Sequence, residues 1–545
     1  MQEVEEVPLD VTAVPQGDAD DHPTVVLIGF EGQENLGLRS IAAYLVAHGV
    51  SVRIEPCHSA SNAEILTHLR TLRPQIVGFS LIFQRMLPDF AKLISDLRKG
   101  HIAAHFTMGG HFPTFAYAAV LDAVPGLDSI VRHEGERTML ELVLSLDDPV
   151  AWCDIHGLAF RQDGEIVVTP PRALIEDLDA LPVPRRRATR TRHRGLGIRS
   201  IAGSRGCYYD CSFCSIQQFY QEPPGPKRRS RSPRHVVDEM ELLYRDLDTR
   251  VFIFQDDDML MRGLRHREWM REFIDQLHAR GLADHILWRV SCRIDDLEAD
   301  LLLRMKEAGL LSVYLGIESG NDQGLRTANK QFCVDDVLRA IDTLRDVDLD
   351  YEYGFMLLDP DSTLATVREN IDFLRWIDAD GRSLVNFCKM IPYAGTTIAE
   401  RLAGEGRLTG SLTAPDYRFH DRRLDLLEMF VSKTFNFRNF DDAGSVERLR
   451  FAKFDCGVLA RLFPDQHELD AYRDRIADLI QRSNEAALRA LSLATHLAEH
   501  NTYDRMLDFW PLLEGWGAQA QTAETQIGRE IDQLMASVGF EADVR

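Results

Sequence analysis

Residues 203–214, Gly-Ser-Arg-Gly-Cys-Tyr-Tyr-Asp-Cys-Ser-Phe-Cys, constrain this chain more than any other stretch. Cys207, Cys211 and Cys214 are spaced CxxxCxxC, and the mainly apolar run Leu196–Ala202 predicts a short strand that ends at Gly203. Three thiolates on one short loop can hold three irons of a 4Fe–4S cluster and leave the fourth iron open. A structural zinc site would want a fourth ligand at matching spacing, and no second CxxC pair exists. Three cysteines this close cannot pair off as disulfides. The other six (Cys57, Cys153, Cys292, Cys333, Cys388 and Cys456) are scattered singly, which suits a reducing cytoplasm.

The stretches on either side of this loop carry two different patterns. From Thr24 the order is strand (Val25–Phe30), helix (Asn35 to His48) and strand (Val50–Ile54). Further strands are expected at Ile76–Ser80, Ala103–Met108 and Ser129–Val131, with helices such as Pro88–Lys99 and Phe115–Ala123 between them. Alternation of this kind predicts a doubly wound, Rossmann-like parallel sheet, with ligands at the carboxyl ends of its strands. Those ends read Gly78-Phe79-Ser80-Leu81-Ile82, Gly109-Gly110-His111 and Arg132-His133-Glu134-Gly135. Ile155–Arg161 and Glu165–Val168 then predict a hairpin around a Gly-containing turn. A basic run, 185–194, reads as a solvated linker pairing with acidic faces of both domains, with a phosphate-bearing group or an acidic partner surface as the alternative occupant.

Counting the strand before the cysteines, six strand–helix units follow. The later strands are placed at Val251–Gln255, Ile286–Val290, Ser312–Gly316, Tyr351–Leu357 and Leu384–Met390, and the set predicts a partial (β/α) barrel with its chemistry at the strand ends. Asp256-Asp257-Asp258 closes the second strand and is expected to cap the next helix. Ser291-Cys292-Arg293, Gly316-Ile317-Glu318-Ser319-Gly320 and Pro392-Tyr393-Ala394-Gly395-Thr396 close the third, fourth and sixth. Phe419–Ser432, Ser445–Leu462 and Leu469–His496 are helical by periodicity. The phenylalanines gathered there (430, 435, 437, 440, 451, 454) are expected to pack together. The domains are thus an acidic tail over 1–22, a ligand-binding domain over 23–145, a linker over 146–195, the barrel over 196–410 and a helical cap over 411–545.

The cysteine spacing, with Phe213 just before the last cysteine, resembles the radical S-adenosylmethionine superfamily. The Ser-x-Leu turn followed some thirty residues later by Gly-Gly resembles the cobalamin-binding domain, with Ile82 where that family has leucine. Their order, together with the Pro-x-x-Gly-Thr turn, is similar to the cobalamin-dependent (class B) radical S-adenosylmethionine methyltransferases. The resemblance implies three cofactors: a 4Fe–4S cluster on Cys207, Cys211 and Cys214, S-adenosylmethionine, and cobalamin. It places Phe213, Arg293, Glu318 and Ser319 around S-adenosylmethionine, and Ser80, Leu81, Gly109, Gly110, Glu134 and Gly135 around the corrinoid.

The resemblance also implies the reaction. Cobalamin takes a methyl group from one S-adenosylmethionine, a second is cleaved to a 5′-deoxyadenosyl radical, and the substrate radical then takes the methyl. Unactivated carbon or phosphinate phosphorus of a small antibiotic or other secondary-metabolite precursor is the implied acceptor, with flavodoxin or ferredoxin as electron donor. Rearrangement or cyclisation without methyl transfer is the second reading, and a corrinoid-binding sensor the third.

Many cobalamin domains carry Asp-x-His-x-x-Gly, whose histidine ligates cobalt from below. Counting back from Gly37, those positions hold Gly32 and Glu34, while His48 and His58 fall at the wrong distance. His111, beside Gly110, is expected along the nucleotide tail. Cobalamin held base-off without a histidine ligand is therefore expected. A formal charge of −23, from 62 basic and 85 acidic residues, disfavours a nucleic-acid partner. No run of 18 apolar residues suggests a membrane span, and the acidic first residues are unlike a signal peptide.

Overall fold

The computed structural model describes residues 23–31, 34–57, 62–186, 191–261, 263–378, 381–463 and 469–537. The expected tail (1–22), Gly32, His58 and residues 187–190 of the basic run lie outside the described residues. The chain divides into two compact units. The first holds residues up to Asp257 together with Pro392–Asp416, and the second holds Asp258–Ile391 with everything from Tyr417.

The first unit opens as a doubly wound domain. Strands β1 (Val25–Gly29), β2 (Val52–Pro56), β3 (Ile76–Ser80), β4 (His105–Gly109) and β5 (Ser129–Val131) are parallel. Helices α1 (Leu36–Ala47), α2 (Asn62–Leu72), α3 (Leu87–Lys99), α4 (His111–Phe115) and α5 (Tyr117–Ala123) connect them, and α6 (Glu136–Leu144) follows. The antiparallel hairpin β6 (Leu158–Gln162) and β7 (Glu165–Val168) extends the edge, giving the order β2-β1-β3-β4-β5-β6-β7. All five residues of β1 are buried, as expected of a strand covered on both faces. One apolar cluster, including Phe79, Phe90 and Phe106, and a second, including Leu38, Leu45 and Leu140, share the burial. The order reverses between β1 and β3, and a crevice opens at such a switch point beyond the strand ends.

The unit continues through β8 (Thr191–His193), β9 (Leu196–Ile201), β10 (Ser204–Arg205), α7 (Ser215–Gln221), β11 (Arg229–Ser230), α8 (Pro233–Leu247) and β12 (Thr249–Phe254). β9 pairs with β12 in parallel, and β10 with β11 antiparallel. The second unit begins with α9 (Leu264–Ala279), β13 (Leu287–Cys292), α10 (Ala299–Glu307), β14 (Leu310–Glu318), α11 (Asp322–Thr327), α12 (Val334–Asp346), β15 (Asp350–Leu358), α13 (Leu364–Ile377) and β16 (Cys388–Lys389). Its four strands are parallel neighbours in sequence order. After α14 (Thr397–Gly404), which belongs to the first unit, come α15 (Arg422–Phe440), α16 (Ser445–Leu462), α17 (Leu469–Glu499), α18 (Tyr503–Asp508) and α19 (Trp510–Ser537). Leu449, Leu459, Ile476, Leu479, Ile480, Ile527 and Ile531 form an apolar core among α16, α17 and α19.

Four expectations are corrected. The strand over Leu384–Met390 shrinks to Cys388–Lys389, because neighbouring helices take its backbone groups. Asn484 accepts from the Val385 N–H, while Arg438 and Asn439 donate to the carbonyls of Val385 and Phe387. Phe430 and Phe435 are buried, but Phe437 and Phe440 stand 61% and 57% exposed, so the aromatic set is not one cluster. Arg186, in the basic run, does pair with acidic residues of both domains, Glu34 and Glu239, but it is buried between them and not solvated. The aspartates after β12 do not cap α9, whose N-cap is Gly263; the first two brace the cysteine loop, as described next.

Candidate active site

The cysteine loop is held by its backbone. The Gly203 N–H donates to Asp256 Oδ2 at 2.9 Å, the Ser204 hydroxyl donates to Asp256 Oδ1, and the Gly206 N–H donates to Asp257 Oδ2 at 2.9 Å. Burial, with Asp256 adding to it, pushes the Asp257 carboxyl up to about 6, so it is mainly ionised at neutral pH and strengthens the bond it accepts. Gly206 has φ +86°, and a Cβ there would lie 1.9 Å from the Lys227 carbonyl oxygen. Only glycine fits both the backbone angle and the space. The Cys214 N–H closes a turn onto the Cys211 carbonyl at 3.1 Å. The three half-buried cysteines thus share one braced loop that ends at the start of α7, which fits a cluster bound through three thiolates.

From the other side the loop is gripped by the turn after β16. The Ile398 N–H and the Thr397 hydroxyl both donate to the Ser212 carbonyl, at 3.0 and 3.2 Å. In the same turn the Ala394 N–H donates to Gln84 Oε1 at 3.2 Å, and Gly395, at φ +79°, leaves room for the Phe115 ring. The Pro392–Thr396 motif therefore joins the cysteine loop to the doubly wound domain.

That domain presents its switch point to a cavity of about 1090 Å³. Ser80, Gly109, Gly110, Glu134, Gly135, His111 and Ile82 line it from the domain, and Phe213, Cys214, Arg205 and Phe219 line it from the cysteine loop and α7. Gly110, at φ +116°, would press a Cβ to 2.2 Å from the Leu81 carbonyl oxygen. The glycine pair thus keeps the strand end bare, a cradle suited to the flat, bulky corrinoid and its tail. Asn35 caps α1 and donates to the Ser80 hydroxyl at 3.0 Å. Of the expected corrinoid residues, Leu81 alone does not reach the cavity: its side chain is fully buried in the domain core, and Ile82, 44% exposed, takes its place. Alternation along an extended segment accounts for the exchange.

Glu134 serves a second purpose. Arg205 and Arg229 each donate to it at 3.0 Å and the Ile175 N–H at 2.9 Å; Arg205 also reaches Glu136 at 2.7 Å. Burial opposes its charge, but the two guanidiniums hold the Glu134 carboxyl below the usual range. Glu34, at the position where the sequence pattern would place a histidine ligand, is likewise committed: Arg186 Nη1 and the Ser200 N–H donate to it, both at 2.9 Å. His111 stacks on Phe219 at 4.3 Å, and burial pushes its imidazole down to about 4. His133, bound to the Phe219 carbonyl through Nδ1 at 3.0 Å, is pushed down to about 4 by burial as well. Both rings are neutral at physiological pH.

The residues expected around S-adenosylmethionine, other than Phe213, belong to the second unit. Arg293 is buried beside the Phe332 ring, with its Nε on Asp295 at 2.9 Å. Glu318 ends β14 at φ +70°, a conformation that costs a non-glycine residue about 1–2 kcal/mol and collects at functional sites. Burial raises its carboxyl, and Lys330, at 3.3 Å, opposes the rise. The Ser319 hydroxyl is engaged by Asn370 and Asn321, each at 3.1 Å, so it fixes the turn.

The sequence reading missed Asn35, Arg205, Phe219, Asp256 and Asp257 as parts of this arrangement. The aspartates were visible at a strand end, but their partners lie some fifty residues away in sequence.

Comparison with known proteins agrees with this geometry. Residues 25–143 match the B12 binding domain and residues 201–374 the Radical SAM superfamily. A cobalamin-dependent S-adenosylmethionine radical enzyme, OxsB, has the same fold, with a TM-score of 0.68 over 96% of this chain and 82% of that one, at 15% identity. The fold is thus a B12-binding Rossmann-like domain, a parallel half-barrel and a helical C-terminal region. The chain is a cobalamin-dependent radical S-adenosylmethionine enzyme, whose cofactors are a 4Fe–4S cluster, S-adenosylmethionine and cobalamin.

Its relatives span more than one reaction. It is 29% identical to the hopanoid C-3 methylase of Methylococcus capsulatus, covering 71% of each chain. It is also 29% identical to the anaerobic magnesium-protoporphyrin IX monomethyl ester cyclase of Rubrivivax gelatinosus, over 66% of this chain and 65% of the relative, so it spans just under two thirds of that protein's length.

Proposed function

We propose that this enzyme moves a methyl group from S-adenosylmethionine, by way of its cobalamin, to an unactivated carbon or a phosphinate phosphorus of a small precursor in secondary metabolism. The observation that carries the reading is one cavity in the first unit, lined both by the corrinoid cradle and by the cysteine loop. When bound, cobalamin supplies methyl transfer, and the cluster with S-adenosylmethionine supplies hydrogen abstraction. The chain's own residues do the rest. Gly109 and Gly110 admit the cofactor face, while Asn35 orients the Ser80 hydroxyl toward it. The Arg205–Glu134 and Asp257–Gly206 contacts fix the cysteine loop against that face. Phe213, Phe219 and Ile82 give the cavity apolar walls that exclude water. Small-molecule chemistry in the cytoplasm, with flavodoxin or ferredoxin as electron donor, completes the proposal.

Cyclisation or rearrangement without methyl transfer is kept as a second reading, since a cyclase stands among the relatives. Trideuteromethyl-labelled S-adenosylmethionine separates the two, using reductant, cobalamin and candidate precursors under anaerobic conditions. Methyl transfer predicts three deuteriums in the product, with S-adenosylhomocysteine and 5′-deoxyadenosine accumulating in about equal amounts. 5′-Deoxyadenosine with no S-adenosylhomocysteine and no deuterium gain would replace the proposal with the second reading.

A further inference from the structure

The end of α17 carries His496 and Glu499, with His500 the next residue, and the i, i+3, i+4 spacing sets all three on one side of the chain. One ligand atom from each lies within 4.8 Å of the others. The two imidazole rings are 4.2 Å apart, and the details favour coordination over chance proximity. His500 Nδ1 is 2.9 Å from the His496 carbonyl oxygen, so the proton sits on Nδ1 and the lone pair on Nε2. A backbone carbonyl holding the far nitrogen is the usual support of a metal-ligating histidine. Among the described residues the His496 ring has no hydrogen-bond partner. Glu499 spends Oε1 on Arg368 of α13, at 2.7 Å, and keeps Oε2.

The position also suits a cation. A helix C-terminus carries partial negative charge, and Arg423 already donates there to the carbonyls of Ala498 and Asn501, at 3.1 and 3.4 Å. Beside the turn lies a groove of about 420 Å³, lined by Asp421, Arg423, Glu499, His500, Asn501 and Tyr503 among others, with the Arg423 guanidinium held by Asp421 at 2.7 Å. It leaves room for water or another small ligand on the open side of a bound ion. Two imidazoles and one carboxylate select borderline transition metals over magnesium or calcium, which prefer all-oxygen sets.

We infer that His496, Glu499 and His500 form a binding site for a divalent transition metal of the zinc class, separate from the cofactor chemistry. Arg368 competes for it by sharing the Glu499 carboxylate.

Zinc chloride titrated calorimetrically into the full chain, with its cluster reconstituted and stray metal removed, tests the site. Competition from the cluster cysteines is removed by repeating the titration on the variant carrying Cys207→Ala, Cys211→Ala and Cys214→Ala. One zinc per chain should bind in both, with a dissociation constant in the micromolar range (~1–50 µM). His496→Ala and His500→Ala should each weaken it on the order of tenfold or more, with unchanged far-ultraviolet circular dichroism. Arg368→Met should tighten binding, because it releases the second carboxylate oxygen; an ion-pair role for Glu499 alone would give no such gain. Zinc binding unaffected by both histidine variants overturns the inference. So does binding weaker than about 1 mM, or binding that disappears with the cluster cysteines.

Discussion

Replacing Gly206 by alanine tests whether the cysteine loop is held in place by its backbone. The substitution adds one methyl group next to Cys207, with no change of charge and no loss of a thiolate. Three effects act together. A φ of +86° costs an L-residue about 1–2 kcal/mol. The new Cβ would sit 1.9 Å from the Lys227 carbonyl oxygen, which is fixed backbone beside the β10–β11 pair and cannot turn aside like a side chain. Relieving that contact pulls the Gly206 N–H off Asp257, and a hydrogen bond to a charged group contributes about 1.5–3 kcal/mol. The sum, about 3–5 kcal/mol, lowers the population of the braced loop by roughly two to three and a half orders of magnitude. Iron and acid-labile sulfide after anaerobic reconstitution should fall well below four per chain, and the reduced-cluster electron paramagnetic resonance signal should fade with them. Gly195→Ala is the control. Its φ is +80°, yet nothing lies within 4 Å of the added Cβ, so it carries the strain without the collision and should keep its cluster. A full complement of iron in Gly206→Ala, or equal loss in Gly195→Ala, would refute the argument.

Single alanine variants of Cys207, Cys211 and Cys214 should each abolish reductive cleavage of S-adenosylmethionine, measured as 5′-deoxyadenosine, whereas alanine at the six other cysteines should leave the cluster intact. If Cys292→Ala lost its iron while Cys211→Ala kept it, the ligand assignment fails. Cob(II)alamin bound to the protein should show no threefold nitrogen superhyperfine splitting, since Glu34 stands at the usual histidine position and is committed to Arg186 and Ser200; a resolved splitting would sink this. Stability should fall with acid through His133. Its folded value, about 4, lies below the ordinary 6.5, so the unfolded chain binds the extra proton between those values. The stability present above pH 6.5 is then lost as the pH drops toward 4, by up to about 3 kcal/mol. The urea midpoint should therefore drop less between pH 7.5 and 5 in His133→Gln than in the parent, and equal drops would count against the assignment.

The sequence by itself determined what is local. Three thiolates within eight residues, glycine pairs at strand ends and the alternation of apolar runs all act over distances that the covalent chain fixes. They sufficed for the cofactor set, the doubly wound domain and the six strand–helix units. Glu318 and Arg293 were legible as strand-end residues for the same reason. Tertiary structure decided which of two adjacent residues faces the cavity, turning Leu81 inward and Ile82 outward. It also gave Asp256 and Asp257 to the cysteine loop instead of to α9, because a carboxylate goes to whichever N–H groups the fold leaves unpaired, and those lay about fifty positions upstream. It shortened the sixth strand where Arg438, Asn439 and Asn484 satisfy the backbone. It also supplied α19, whose Gly515 and Gly517 weaken any helix signal but let Gly517 pack against Thr434 of α15. Arg186 is the plainest case. In sequence it is one more arginine of a basic run, and only the meeting of Glu34 and Glu239 in three dimensions makes it a buried ion pair. Short-range geometry is written residue by residue, while the choice among partners far apart in sequence depends on which backbones and charges the folded chain brings together.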